Sequence, residues 1–284
     1  MNRIDGRFNE LGRQGEKALI PFIAAGDPSL ETTAELVLEM EKRGADLIEL
    51  GVPFSDPLAD GPIIQLAYQR ALRNKVRPGD ILELVEELRR RTRIPLILMS
   101  YYNLLHRQGG ANFARRAAAA GVDGLIIPDL PPEEGEELWK ASREVGLSNI
   151  LLISPTTSPD RLQRIARQGT GFLYYVSLLG VTGARDTLPA NLRESLKTIK
   201  VHTDKPVAVG FGISTPQQAG MVAHWAEGVI VGSALVRIIQ QDPSAPTLVE
   251  NVGTLVEQLK AGIRAAVQGP AAVIAQNPVV SRDN

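Results

Sequence analysis

Cysteine is absent from all 284 residues, so the chain offers no disulfide framework, no thiol nucleophile and no cysteine-held iron–sulfur cluster. Such a composition suits a reducing compartment. A charge of one sign is missing too: 31 basic and 32 acidic side chains leave a formal charge of −1. With a pI of about 6.4 there is no electrostatic footprint for nucleic acid or an anionic membrane. No apolar run approaches the roughly 18 residues of a membrane span, and residues 1–15 alternate charged and polar types instead of building a signal-peptide core. These absences point to a cytoplasmic protein. The three histidines, His106, His202 and His224, stand far apart without ligand spacing, which argues against a metal centre. No glycine-rich dinucleotide turn or Walker A segment is present, which argues against a bound dinucleotide or ATP.

What is present is alternation. Short runs rich in Ile, Leu and Val recur between segments of helical period, the pattern of βαβ units and a parallel sheet. Candidate strands cover residues 19–24, 47–51, 95–100, 125–128, 150–153, 172–176, 207–209 and 229–231. Eight strands predict an α/β fold, a single (β/α)8 TIM barrel with extra N-terminal and C-terminal segments. The length fits, since such barrels reach about 250 residues as one domain. Helix starts are marked by Ser29, by Asp80, by Pro131 and Pro132 ahead of Glu133 and Glu134, and by Ser158 with Pro159. No linker divides the chain. The expected division is a catalytic domain over residues 1–267 and a mobile tail over 268–284, where the period is lost and Gly269, Pro270 and Pro278 appear.

Barrel active sites lie at the C-terminal ends of the strands. In the second strand, Ile48 and Leu50 share one face, and Leu47 and Glu49 the other. If the first pair packs on helices, Glu49 points inside, where desolvation raises its pKa toward that of a proton shuttle. The alternative is a carboxylate paired with a neighbouring base. The next loop, stiffened by Pro53, Pro57 and Pro62, carries Asp56 and Asp60; Asp60 is either functional or the N-cap of the following helix. Glycines follow the last three strands at Gly180 and Gly183, Gly210 and Gly212, and Gly232 beside Ser233. At the ends of strands seven and eight they suit a phosphate site, the alternative being tight turns. No lysine stands at the C-terminal end of a predicted strand, so a Schiff-base mechanism is disfavoured and carboxylate acid/base chemistry remains.

The stretches PFIAAGDP (21–28) and IELGVPFSDPLADGPIIQ (48–65) closely resemble the tryptophan synthase alpha subunit family. LMSYYN from Leu98, GVDGLIIPDLPPEE from Gly121, YYVSLLGVTGAR from Tyr174, VGFGIS from Val209 and GVIVGSALV from Gly228 extend the resemblance over the whole barrel. It implies a lyase that cleaves indole-3-glycerol phosphate to indole and glyceraldehyde 3-phosphate without a cofactor on this subunit. Glu49 and Asp60 match the catalytic acids, and Gly183, Gly212, Gly232 and Ser233 the phosphate-binding positions. Phe22, Tyr174, Phe211, Tyr102 and Ile127 are the expected indole walls, although strand-end aromatics also simply fill cores. Asp129 and Thr182 are expected to close a loop over substrate. The implied partner is a beta subunit carrying pyridoxal phosphate, in an alpha2beta2 tetramer. Two departures stand out: Ala24 where the family usually has Thr, and Leu104 with Leu105 after Asn103. The competing reading is a catalytically silent barrel that binds a phosphorylated ligand and activates its partner; such a barrel needs neither acid.

Overall fold

The computed structural model describes residues 2–176, 192–210 and 212–268. Eight parallel strands form a closed barrel in chain order: β1 (Ala18–Ala24), β2 (Ile48–Gly51), β3 (Leu96–Met99), β4 (Gly124–Ile126), β5 (Ser148–Ile153), β6 (Leu173–Val176), β7 (Val207–Gly210) and β8 (Gly228–Val231). All eight fall where the apolar runs predict them. Around the sheet lie α2 (Leu30–Lys42), α3 (Pro62–Arg73), α4 (Pro78–Leu88), the short α5 (Tyr102–His106), α6 (Gly110–Ala120), α7 (Glu136–Glu144), α8 (Pro159–Gln168), α9 (Leu192–His202), α10 (Pro216–Ala223), α11 (Ser233–Gln241) and α12 (Leu248–Gln268). They follow α1 (Arg3–Gln14), which precedes the first strand. No helix among the described residues is long and apolar enough to cross a membrane.

Local chemistry accounts for most boundaries. Ser29 caps α2, its hydroxyl accepting from the Thr32 amide at 3.1 Å, and Gly44 follows with φ +103°. Asp80 does not begin α4 but sits in its first turn, accepting from the Arg77 amide at 2.8 Å. Ser158 and Pro159 open α8 as predicted. The acid-rich turn at Glu133 and Glu134 does not start α7. The Glu134 amide bonds to Pro131 as a separate turn at 3.1 Å, and the helix begins after Gly135, where a Cβ would run into the Trp139 indole. At the other end of the chain, α12 reaches Gln268, and the rest of the expected tail lies outside the described residues.

Alternation within each strand sorts the core into two layers. Ile48 and Leu50 face the helices, in one cluster with residues such as Val37, Met40 and Val85. Ile20, Phe22, Leu47, Ile97, Ile126 and Ile150 fill the barrel interior. The N-terminal end of the barrel is plugged by Ile4, Phe8 and Leu11 of α1, with the Phe8 and Phe172 rings 5.5 Å apart. Close approach there requires Gly124, since a Cβ would lie 2.6 Å from Ile150 and 2.9 Å from Ile4.

Two buried aspartates fasten this end. Asp46 takes Arg7 at 2.6 Å, Lys260 at 2.9 Å and the Leu19 amide at 2.7 Å. Asp123 takes Arg3 at 2.8 Å, Arg89 at 2.7 Å and the Leu96 amide at 2.9 Å. Each carboxylate therefore ties strands to helices from both chain ends or from neighbouring units. Removing one partner of a buried pair strands the other, at a cost of about 3–5 kcal/mol. Asp123→Ala is therefore expected to lower the urea-unfolding free energy by about 3 kcal/mol. A loss under about 1 kcal/mol would show that Asp123 does not hold this end together.

Candidate active site

At the opposite end of the same sheet two acids stand without basic partners among the described residues. Glu49 lies on β2, with Phe22 on one side in register and Ile97 on the other. Because Ile48 and Leu50 pack outward, Glu49 enters the interior, where it is 1% exposed. Neither carboxyl oxygen has a hydrogen-bond partner among the described residues. Burial, and after it the charge of Asp60, push its pKa up to about 8. The alternative, a carboxylate paired with a neighbouring base, finds no such base among the described residues.

Asp60 comes from the proline-braced loop after β2. The helix-cap alternative does not hold: Gly61 takes the N-cap position of α3 without a side-chain bond, and Pro62 follows. The Asp60 carboxylate turns to Tyr101 instead. The Tyr101 hydroxyl donates to Asp60 Oδ2 at 2.7 Å and accepts from the Ala59 amide at 3.1 Å. Phe54 from the same loop stacks on the Tyr101 ring, centroids 5.1 Å apart and planes 26° apart. Burial raises the Asp60 pKa to about 6, with the Tyr101 hydrogen bond acting in the opposite direction. Two carboxyls with raised pKa values, about 8 and about 6, thus stand at one end of the barrel.

Phe22 and Tyr174 supply apolar surface beside them. Phe22 is buried in the interior cluster, and Tyr174 packs against that cluster from β6. Gly210 makes room for the Tyr174 phenol, since a Cβ there would fall 2.5 Å from its hydroxyl. Burial raises the phenol's pKa, and the charges of Glu49 and Asp60 raise it further, so the ring lies in the field of both acids.

Two expected wall residues are displaced by one position. Tyr102 packs on the helix-facing layer, its ring 5.6 Å from that of His106, and Ile127 belongs to the same outer layer. Their neighbours Tyr101 and Ile126 face the interior. A one-residue shift along an extended segment exchanges faces, which explains the error. Tyr68 is a residue that sequence reading passes over altogether; it shares a face of α3 with Ile64 and Ala71 at helical spacing, and that spacing was its available signal.

Gly232 is the N-cap of α11 and Ser233 its first residue, so free amides of the first turn are available at the end of β8. Gly212, after β7, has φ +75° and open space where a Cβ would stand. Gly183, Thr182 and Phe211 lie outside the described residues. Asp129 is exposed and accepts from the Tyr102 amide at 2.8 Å. It lines, with Phe54, Asp56, Leu58, Ala59, Tyr101 and Asn103, a cleft of about 510 Å³ beside the Asp60 loop. Among the described residues no three His, Asp or Glu side chains gather as a metal site.

The raised pKa of Glu49 has a consequence for stability. An unfolded Glu titrates near 4.5, the folded one near 8. The advantage of the buried neutral carboxyl is fully present below about 4.5 and is lost as pH rises toward about 8, because only the folded state holds the proton in that window. Glu49→Gln has no proton to lose. Urea unfolding at pH 5, 6.5 and 8 is expected to show the variant gaining on the native protein with each step, by roughly 1 kcal/mol per pH unit. A gap independent of pH would place Glu49 in contact with solvent.

Comparison with known proteins agrees with the barrel. The family model for the tryptophan synthase alpha chain matches residues 8–264. The tryptophan synthase alpha chain of Citrifermentans bemidjiense is 51% identical over 263 residues, covering 93% of this chain and 98% of the relative. A crystal structure of the alpha chain from Legionella pneumophila superposes with a TM-score of 0.86 at 40% identity, covering 93% of this chain and 98% of the other. The tryptophan synthase complex from Pyrococcus furiosus matches with a TM-score of 0.79 at 38% identity, over 87% of this chain and 99% of the other. The chain belongs to the tryptophan synthase alpha chain family.

Proposed function

We propose that Glu49 and Asp60 together carry out the lyase step of this family in tryptophan biosynthesis, the cleavage of indole-3-glycerol phosphate to indole and glyceraldehyde 3-phosphate. The observation that carries this reading is the unlike setting of the two acids: Glu49 is buried without a partner and rises to about 8, while Asp60 is held by Tyr101 at about 6. At pH 7 the first is a neutral acid and the second a carboxylate. The reaction uses both.

Glu49 gives its proton to C3 of the indole ring, and the positive charge so created spreads to the ring nitrogen. Asp60 Oδ1, which Tyr101 does not engage, accepts the ring N–H and stabilises that charge. The carboxylate left on Glu49 removes the proton of the glycerol hydroxyl. The carbonyl forms, the carbon–carbon bond breaks, and its electron pair returns to the ring. One proton has left the hydroxyl, one has reached C3, and Glu49 is again an acid.

Phe22, Tyr174 and Ile126 wall the indole ring, a role the family resemblance also gives to Phe211. The phosphate rests on amides of Gly212, Gly232 and Ser233 and of Gly183, and Asp129 with Thr182 closes the site. A beta subunit is the partner, in an alpha2beta2 tetramer with pyridoxal phosphate on the beta chain and no cofactor on this one. The Asp60 loop, whose Leu58 is 92% exposed, and residues 104–109 form the face that meets it. A cytoplasmic location goes with this reading, since a cysteine-free chain suits a reducing compartment.

Purified protein is expected to release indole from indole-3-glycerol phosphate slowly alone and faster with a beta subunit. Its rate should follow a bell-shaped pH profile with limbs near 6 and 8. Glu49→Gln should lose about 100-fold or more in turnover while still binding substrate. Equal turnover of the two proteins would end the proton-shuttle assignment.

A further inference from the structure

Tyr68 is fully buried on α3, yet its hydroxyl finds no partner among the described residues. The side chain reaches back over the end of β2. A Cβ on Gly51 would fall 2.5 Å from the Tyr68 hydroxyl oxygen and 2.6 Å from Phe22 Cζ, so the hydroxyl and the tip of the Phe22 ring share the space that glycine leaves. Phe22 is in register with Glu49, two residues before Gly51 on the same face of β2. A Cβ on Gly232, the glycine expected on the phosphate side, would fall 3.2 Å from Cδ1 at the other end of the Phe22 ring. The Tyr68 hydroxyl is therefore on the acid side of Phe22, away from the phosphate.

Three buried polar atoms without partners are gathered here, the Tyr68 hydroxyl and both Glu49 oxygens. Each is costly to leave unpaired, and α3 is firmly placed by the bidentate pair of Arg70 with buried Asp27, at 2.8 and 2.7 Å, so the tyrosine does not simply lie slack. Burial, and after it the charges of Asp60 and Glu49, raise the pKa of its phenol well above the ordinary value, so it stays protonated while the two acids titrate. It is a standing hydrogen-bond donor.

Resting on the reading of Glu49 and Asp60 above, we infer that Tyr68 is a further substrate-contacting residue, whose hydroxyl donates to the glycerol oxygen that becomes the aldehyde. Glu49 takes the proton from that oxygen, and Tyr68 offers a second hydrogen bond to its lone pair. As the hydroxyl proton leaves and before the carbonyl is complete, negative charge grows on this oxygen, and the phenol hydrogen bond strengthens. Tyr68 transfers nothing: the O–H and C–C bonds break, the C=O and C3–H bonds form, and the phenol keeps its proton. The ring nitrogen is left to Asp60, since its N–H is itself a donor and offers nothing to a phenol proton.

Tyr68→Phe removes the hydroxyl and retains the ring. Turnover of indole-3-glycerol phosphate is expected to fall at least tenfold with KM changed less than threefold, the split of an interaction that grows in the transition state. Thermal unfolding of the free protein is expected to stay the same or rise, since the lost group is unpartnered there. On a Glu49→Gln background, Tyr68→Phe should weaken binding of the intact substrate and leave unchanged the binding of the analogue that lacks the hydroxyl next to the ring. Turnover within twofold of native, equal weakening of both ligands, or a lowered unfolding temperature would each overturn the inference. A fully active Glu49→Gln protein would instead overturn the acid assignment itself, whereas an inactive one beside a normal Tyr68→Phe protein would remove Tyr68 alone.

Discussion

A carboxyl group buried at the end of a barrel strand, with no base beside it among the described residues, is the constraint on which the rest of this structure depends. An ionised carboxylate in that position forfeits hydration worth several kcal/mol, so Glu49 keeps its proton well into the neutral range. The contrast with Asp46, three residues earlier in the chain, is instructive. Asp46 is equally buried, but receives Arg7, Lys260 and a backbone amide. One end of the sheet uses buried acids as fasteners and the other leaves them chemically available, which is the division of labour between the two faces of such barrels.

The second acid depends on a different device. Asp60 is carried by a loop, yet its surroundings are fixed from three sides: the Val52 amide bonds to Met99 at 2.8 Å, Phe54 stacks on Tyr101, and Gln65 of α3 donates to the Asp60 carbonyl at 2.8 Å. Farther along α3, Arg70 and Asn74 attach the helix to the turn after β1, through Asp27 and the Pro28 carbonyl. A single short helix thus spans from that turn to the loop of Asp60 and carries Tyr68 between. The segments 21–28 and 48–65, separated in sequence, become one structural unit through these contacts.

Much of this was legible from the chain alone. Eight apolar runs gave eight strands, and the alternation of Leu47, Ile48, Glu49 and Leu50 put Glu49 inside, because period two leaves no other choice once one face is aliphatic and helix-covered. The positions taken from the resemblance missed by one at Tyr102 and Ile127. Beyond the last ladder pair a strand has no partner to hold its phase, and adjacent residues of similar type, Tyr101 with Tyr102 and Ile126 with Ile127, give no clue to which one turns inward. Pattern also failed to separate a helix-capping Asp60 from a site acid, since both precede a proline-led helix; Gly61 at the N-cap and the Tyr101 hydroxyl on the carboxylate remove the capping reading. Glu133 and Glu134 have the composition of a helix start, but their backbone is spent on a turn.

The unlike protonation of the two acids cannot come from residue type. Free of the fold, Glu and Asp titrate near 4.5 and 3.8, a separation too small to give them separate tasks at one pH. In the protein they stand near 8 and 6, both raised by burial and now about two units apart. What divides them is burial first, then the charge of Asp60 acting on Glu49 and the Tyr101 hydrogen bond acting the other way on Asp60. The lone pair of Tyr101 that faces the loop is taken by the Ala59 amide, so its hydroxyl proton is directed at Asp60, where it favours the carboxylate. Glu49 receives no such donor from the described protein, and its lowest-energy form is the acid. The Tyr101 hydrogen bond thus adds to a difference that burial and the charge of Asp60 already set up, and the proposed reaction draws on that difference.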